Sequence, residues 1–280
     1  MKQPYLLKNL LIKYRLTIVD VVLLSVLESV LFVAQFYFIG KAVNDLLKDS
    51  WDGVYILIAL FISKVLVSYI KQNRIGKTYK RIYDLLIMKT IAGPLEEGEE
   101  IKTLAPKSSI IYELTSFFKG DLIRGFESIV RLILVLLALF FLYQQIFWMA
   151  IGMSTIVFCL YLFKKKKTLH LSSALAGEIF NEHDVLQSGN SESLVEHHRK
   201  LERIDNDLLG VSATNLSIIE ILSFAFMIVS IILLVKTEGE NAFGTFLTLM
   251  YYIMAFSEIM FLLPSKYQKY LRTQALSKML

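Results

Sequence analysis

Residues 132–163 read LILVLLALFFLYQQIFWMAIGMSTIVFCLYLF, thirty-two residues without a charge. A water-soluble core has no use for such a run, because soluble domains interleave apolar with polar positions. A helix rises about 1.5 Å per residue, so about 20 apolar residues cross the ~30 Å of bilayer hydrocarbon. The run is too long for one crossing. Gln144-Gln145 near its centre divides it into two spans, 129–143 and 146–163, joined by a tight turn, and Lys164–Lys167 closes the second. Working outward, four more apolar segments follow the same arithmetic: 17–39, 54–70, 216–235 and 242–263. Backbone groups in lipid must be satisfied within the segment, so each span is a helix and the fold class is all-α, a polytopic membrane protein.

The rest of the chain agrees. Its 280 residues are 55% hydrophobic and 20% charged, with mean hydropathy +0.54. These values exclude a soluble enzyme and a disordered chain. Cys159 is the only cysteine, so no intrachain disulfide framework exists. The net charge of +5 has a revealing distribution. Of 30 basic residues, 25 lie in the N-terminus, 71–124, 164–203 and the C-terminus; Lys41, Lys48 and Lys236 lie in loops on the other side. By the positive-inside rule both termini are cytoplasmic, in a cell inner (plasma) membrane. The basic residues read as membrane-surface anchors, and no basic-aromatic surface for nucleic acid stands out. Lys8, Lys13 and Arg15 interrupt the N-terminal apolar residues, so no cleavable signal peptide is expected. Residues 1–15 instead form an amphipathic interfacial helix, with Leu6, Leu7, Leu10, Leu11 and Tyr14 on one stripe, ahead of a six-span domain over 16–280.

Loops on the outer side are short: about 14 residues, two, and about six. The inner ones are long, 71–128 and 164–215. Both inner segments carry helical stripes: Ile75, Tyr79, Ile82 and Leu86 in the first, Leu194, Leu201, Ile204 and Leu208 in the second. Span 2 therefore continues past Lys71 into water as one helix. Breaks are expected at Gly93-Pro94 with Gly98, and at Ser188-Gly189-Asn190.

Ionisable residues at mid-bilayer are costly and mark either helix packing or function. Asp20, Glu28 and Gln35 share one face of span 1 at 100° per residue, with Asp20 at the interface. Glu28 sits at the midpoint of span 1, and Lys64 lies near that of span 2. The spacing predicts a buried Glu28–Lys64 pair, which either fixes helix packing or serves as a substrate or proton site. Glu220 and Glu258 fall in the inner third of spans 5 and 6. Desolvated carboxylates there would exchange a proton for an arriving organic cation. Tyr251 and Met254, with Met250, Met260, Tyr252 and Phe256, would give such a ligand aromatic faces and adaptable packing. The expected substrate-binding set is Glu28, Gln35, Tyr251, Met254 and Glu258; the expected coupling set is Glu28, Lys64, Glu220 and Glu258. Glu127 and Arg131 form a local i, i+4 ion pair. His183, His197 and His198 lie among acidic residues, but without H-E-x-x-H or a cysteine cluster they read as a solvated helix surface, so no metal or other cofactor is expected. No catalytic constellation stands out, and the expectation is that the chain is not an enzyme.

Three stretches bear on kinship: Phe38-Ile39-Gly40-Lys41-Ala42-Val43-Asn44-Asp45 closing span 1, Arg74-Ile75-Gly76 with Arg81 and Pro94 in the first excursion, and Glu238–Phe246 with Pro264 around span 6. With six spans and two long inner excursions, they resemble the transmembrane domain of ABC exporters. That resemblance implies a domain-swapped homodimer and alternating-access transport. Members of the family continue into a nucleotide-binding domain, whereas this chain ends 16 residues after Pro264. The nearest string to a phosphate-binding loop, Gly76-Lys77-Thr78, has Lys71 where the first glycine belongs. The reading is a stand-alone exporter of amphipathic, cationic small molecules or peptides, multidrug-like and driven by an ion gradient. Its rivals are a transmembrane subunit served by a separate ATPase chain, and a membrane ligand-binding or sensor protein that transports nothing.

Overall fold

In the computed structural model, residues 15–276 are described apart from 97, 99, 100, 188 and 239–242. The interfacial helix expected before Arg15 lies outside them, as does most of the turn between spans 5 and 6. The chain forms α1 (Arg15–Leu46), α2 (Asp52–Ile87), α3 (Gly93–Glu96), α4 (Ile101–Ser116), α5 (Ile123–Leu142), α6 (Gln144–Gln187), α7 (Ser191–Glu238) and α8 (Phe243–Leu276). There is no strand among the described residues. Six of these helices (α1, α2, α5, α6, α7 and α8) hold segments long and apolar enough to cross a membrane, as expected.

The helices extend well past the apolar segments. Residues 47–51 are all that separate α1 from α2, so the first short loop is shorter than expected. Between α5 and α6 the break falls on Tyr143, which is extended (φ −150, ψ 93), and Gln144-Gln145 already open α6. Lipid explains the economy: each added helical turn satisfies backbone groups that a loop would leave bare. α2 runs unbroken through Lys71 and through Gly76-Lys77-Thr78, so that string lies mid-helix. π-helical turns at Met88–Ala92 and Phe117–Leu122 flank the elbow made by α3 and α4. Gly98 (φ +90) and Gly189 (φ +64) sit at the two expected breaks, in the left-handed region that a Cβ disfavours.

The two ends of the bundle differ. One, here the basic end, carries the long excursions and the start of α1; the other carries the short loops. α8 is the central helix, with 44% of its most apolar window buried, whereas α2 is peripheral at 6%. Phe256, Ile253 and Leu249 of α8 form the core with Leu139, Ile146, Ala150 and Ile219. α2 packs chiefly on α1 and leaves Tyr55, Phe61, Ile62, Leu66 and Tyr69 exposed. For a helix in lipid such exposure carries no hydrophobic penalty, because acyl chains are as apolar as the side chains.

At the short-loop end α1 and α8 cross backbone to backbone. A Cβ on Gly40 would overlap Thr248 Oγ1 and the Gly244 carbonyl; one on Gly244 would overlap the Gly40 carbonyl and the Asn44 side chain. The Gly244 N–H, at the start of α8 where no intrahelical acceptor exists, donates to Asn44 Oδ1 at 3.0 Å. The Gly40 and Asn44 of the resembling stretch thus both serve this crossing.

Candidate functional site

α1 and α2 run antiparallel. Counted from the short loop at 47–51, Glu28 lies 18 residues before the end of α1, and it is Lys71, 19 residues after the start of α2, that is level with it and meets it, at 2.5 Å between Lys71 Nζ and Glu28 Oε2. Lys64 reaches instead to Gln35, donating to its Oε1 at 3.0 Å. The expected Glu28–Lys64 pair is thus corrected. Both residues are in the right region, but α1 runs seven residues past its expected end at 39 whereas α2 begins only two before 54, so each is level with a partner about two turns from the one expected.

α5 completes a four-charge cluster. Lys71 Nζ also lies 2.5 Å from Glu127 Oε1, which accepts from Ser25 Oγ at 3.0 Å. Arg131 Nη2 is 3.9 Å from both Glu28 and Glu127. The Lys71 and Glu28 side chains are 4% and 8% exposed. Two carboxylates and two cations therefore balance in a sealed contact between three helices. Glu127 and Arg131 are not merely a local pair, and Glu28 is enclosed by protein instead of lining open space. Its expected place in the substrate-binding and coupling sets would require that enclosure to open. Charge neutrality is what makes the enclosure tolerable, since a lone buried ion would carry a desolvation cost of several kcal/mol.

Two turns toward the short-loop end is a second constellation. The Phe32 ring has Lys64 Nζ at 4.8 Å and Arg131 Cζ at 4.4 Å from its centroid. Phe32 packs edge-on against Phe36 (5.0 Å), and Phe36 stacks on Tyr251 of α8 at 5.7 Å, planes 1° apart. Lys64, expected in the coupling set, thus borders one aromatic wall with Gln35 and Tyr251 of the expected substrate-binding set. Lys64 is half-buried, and no carboxylate lies within ion-pair distance of it among the described residues. On insertion scales an uncompensated cation at this depth costs about 2.5–3.5 kcal/mol.

Other expected residues divide. On α8, Tyr251, Met254 and Glu258 are exposed, while Tyr252, Phe256 and Met260 are packed in the core and Met250 is half-buried. The aromatic and methionine surface expected for a ligand is therefore half structural, because a central helix turns nearly half of its residues into the core. Glu220 on α7 is exposed, like Glu258. Asp20 pairs with Arg74 at 3.5 Å and both are substantially exposed, as an interfacial position requires.

The sequence reading missed the contacts at the basic end. Asp121 receives Lys266 (2.7 Å) and Lys269 (3.2 Å), and Arg272 pairs with Glu113 at 2.7 Å, tying the end of α8 to the first excursion across a polar groove of about 290 Å³. The available signal was the cationic i, i+3, i+6 stripe on α8. Asp121→Asn leaves the largely covered Lys266 without its carboxylate and should cost about 1.5–3 kcal/mol. Asp20→Asn, at an exposed pair, should cost under about 1 kcal/mol. Thermal unfolding of the two variants in detergent checks this ranking. At the second excursion, buried His197 meets Glu178 at 3.2 Å, and Glu178 also pairs with Lys200. The His183 side chain lies outside the described residues, among which no group of three metal-ligating side chains occurs.

An apolar cavity of about 310 Å³ lies beside the charge cluster, between α1, α2 and α5, lined by Val21, Val22, Ile75, Tyr79 and Phe126 and touching Ser25.

Comparison with known proteins gives one family: residues 7–243 match the profile described as ABC transporter transmembrane region. No curated protein matches the chain.

Proposed function

Since the chain belongs to the ABC transporter transmembrane region family, we propose that it is the membrane-spanning part of a transporter that moves amphipathic small molecules or peptides across the plasma membrane as a homodimer. The basic end faces the cytoplasm in this reading, which rests on the distribution of Lys and Arg. The observation that carries it is the pair of long excursions within a family-matched bundle. α6 continues for about 35 Å beyond Phe163 at 1.5 Å per residue, and α7 returns over a similar length. Helices of that reach, ending at the Gly98 and Gly189 breaks, can relay the motion of a partner docked in the cytoplasm to the spans.

Between the two energy sources, a separate ATPase chain docking on these tips is favoured over an ion gradient. The gradient reading relied on Glu28 as a coupling group, and Lys71, Glu127 and Arg131 enclose it. Glu220 and Glu258 remain as exposed carboxylates and are the residues on which gradient coupling, and a preference for cations, would depend. Purification of the full chain in mild detergent tests the choice. ATP hydrolysis that co-purifies with it, and is lost when Gly189→Pro alters the second tip, is the expected result. ATPase-free protein that drives uptake in liposomes under a proton gradient, and fails as Glu258→Gln, would favour the gradient.

A further inference from the structure

We infer that Lys64 anchors the head of an amphipathic anion, a ligand with one carboxylate, sulfate or phosphate and an apolar tail. This inference deepens the transport reading by naming a substrate class, yet concerns binding alone. Lys64 is the thirteenth residue of α2, so its backbone lies about 18 Å from the start of that helix, near the middle of a ~30 Å hydrocarbon layer. Its polar partner, Gln35 Oε1, is neutral, and its other neighbour is the Phe32 ring. Glu28 compensates it only in part, because Lys71 and Arg131 lie closer to that carboxylate. The five charges of the region, Glu28, Glu127, Lys71, Arg131 and Lys64, leave one positive charge over, and the geometry places the excess on Lys64.

That excess charge sits at the edge of the bundle instead of inside it. Phe61 and Val65 on α2 are more than half-exposed or nearly so, at 57% and 50%. An arriving apolar tail therefore has a surface beside the ammonium on which to lie. The wall of Phe32, Phe36 and Tyr251 borders the same ammonium, with the exposed Tyr251 as a further polar group. A cation as ligand would meet Lys64 and Arg131 together and be repelled. An anion restores neutrality at a depth where charge is expensive, and in a low-dielectric layer that attraction is little screened. A phospholipid headgroup and a free amphiphile share this chemistry.

The test uses the full chain in phosphatidylcholine nanodiscs, with radiolabelled dodecanoate and dodecyltrimethylammonium as probes. Dodecanoate should bind saturably, about tenfold or more weaker in Lys64→Met and within about threefold of the parent in Lys64→Arg. Dodecyltrimethylammonium should show no saturable site that responds to residue 64. Adding phosphatidylglycerol separates the sources: displaced dodecanoate means that an anionic lipid headgroup occupies the site, and unchanged dodecanoate means a free amphiphile. Lys64→Met removes a charge from lipid and should keep its monodisperse elution profile, which guards against misfolding. Equal dodecanoate binding by Lys64→Met and the parent, or equally tight binding of the cation, overturns the inference. Intact binding without flux would count against transport only.

Discussion

Lys71→Met should be the most damaging single change among the membrane-level charges, costing about 3–5 kcal/mol. The residue touches both carboxylates of the cluster at 2.5 Å, and its side chain is 4% exposed. Without it Glu28 and Glu127 lie buried together, with only Arg131, at 3.9 Å from each, to offset them. The cost comes from two like charges abandoned in a dry contact more than from the attraction lost. For that reason a second substitution should help: Glu28→Gln in the Lys71→Met background leaves Glu127 and Arg131 as a balanced i, i+4 pair. The double variant should regain at least half of the loss, a coupling well above the few tenths of a kcal/mol seen between independent sites. Thermal unfolding of the four proteins in one detergent provides the cycle. Equal losses from Lys71→Met and an exposed-pair variant such as Asp20→Asn would remove the cluster from the account.

The second large effect is expected at the glycine crossing. Gly40→Val places a Cβ inside the space of Thr248 Oγ1 and of the Gly244 carbonyl, and that carbonyl belongs to backbone that cannot rotate away. α1 and α8 would have to separate, breaking the Asn44–Gly244 hydrogen bond and opening the core around Leu249. Overpacking typically costs about 1–3 kcal/mol, and a clash with fixed backbone belongs at the upper end of that range. Gly152→Ala in α6 is the matched control. A Cβ there meets nothing within 4 Å, so alanine should be neutral or slightly stabilising through its better helix propensity. Expression level and unfolding temperature of the two variants measure the contrast. Indistinguishable behaviour would mean that the close approach of α1 and α8 does not hold the bundle.

These predictions also mark what the sequence discloses. The six spans were legible because lipid imposes a length and leaves the backbone no alternative to the helix; 132–163 sufficed to set the scale. The unbroken passage of α2 beyond Lys71 and the breaks at Gly98 and Gly189 were legible from periodicity and from glycine. Contact partners were less so. Depth arithmetic on the apolar runs matched Glu28 with Lys64, because the run of span 1 ends at 39 although its helix continues to Leu46; counted from the helix ends, Glu28 is level with Lys71. Glu127 and Arg131 looked self-sufficient because sequence shows i, i+4 neighbours and not a third helix. The stripe from Met250 to Met260 concealed its own division, since only the central position of α8 decides that Tyr252 and Phe256 are core while Tyr251 and Met254 are surface.

The family membership, the enclosed charge cluster and the long excursions bear on function together. A bundle that moves as rigid segments needs its internal charges locked, and the cluster joins α1, α2 and α5. The ties from Asp121 and Glu113 to α8 extend that connection toward the excursions, where a motor would act. Everted membrane vesicles from cells that make the chain with its natural neighbours, and from cells that lack it, allow the most direct measurement: uptake of a labelled amphiphile after addition of ATP. The account predicts ATP-dependent uptake only in vesicles that hold the chain, insensitive to collapse of the proton gradient and lost in Lys71→Met. Equal uptake by both vesicle types would contradict it.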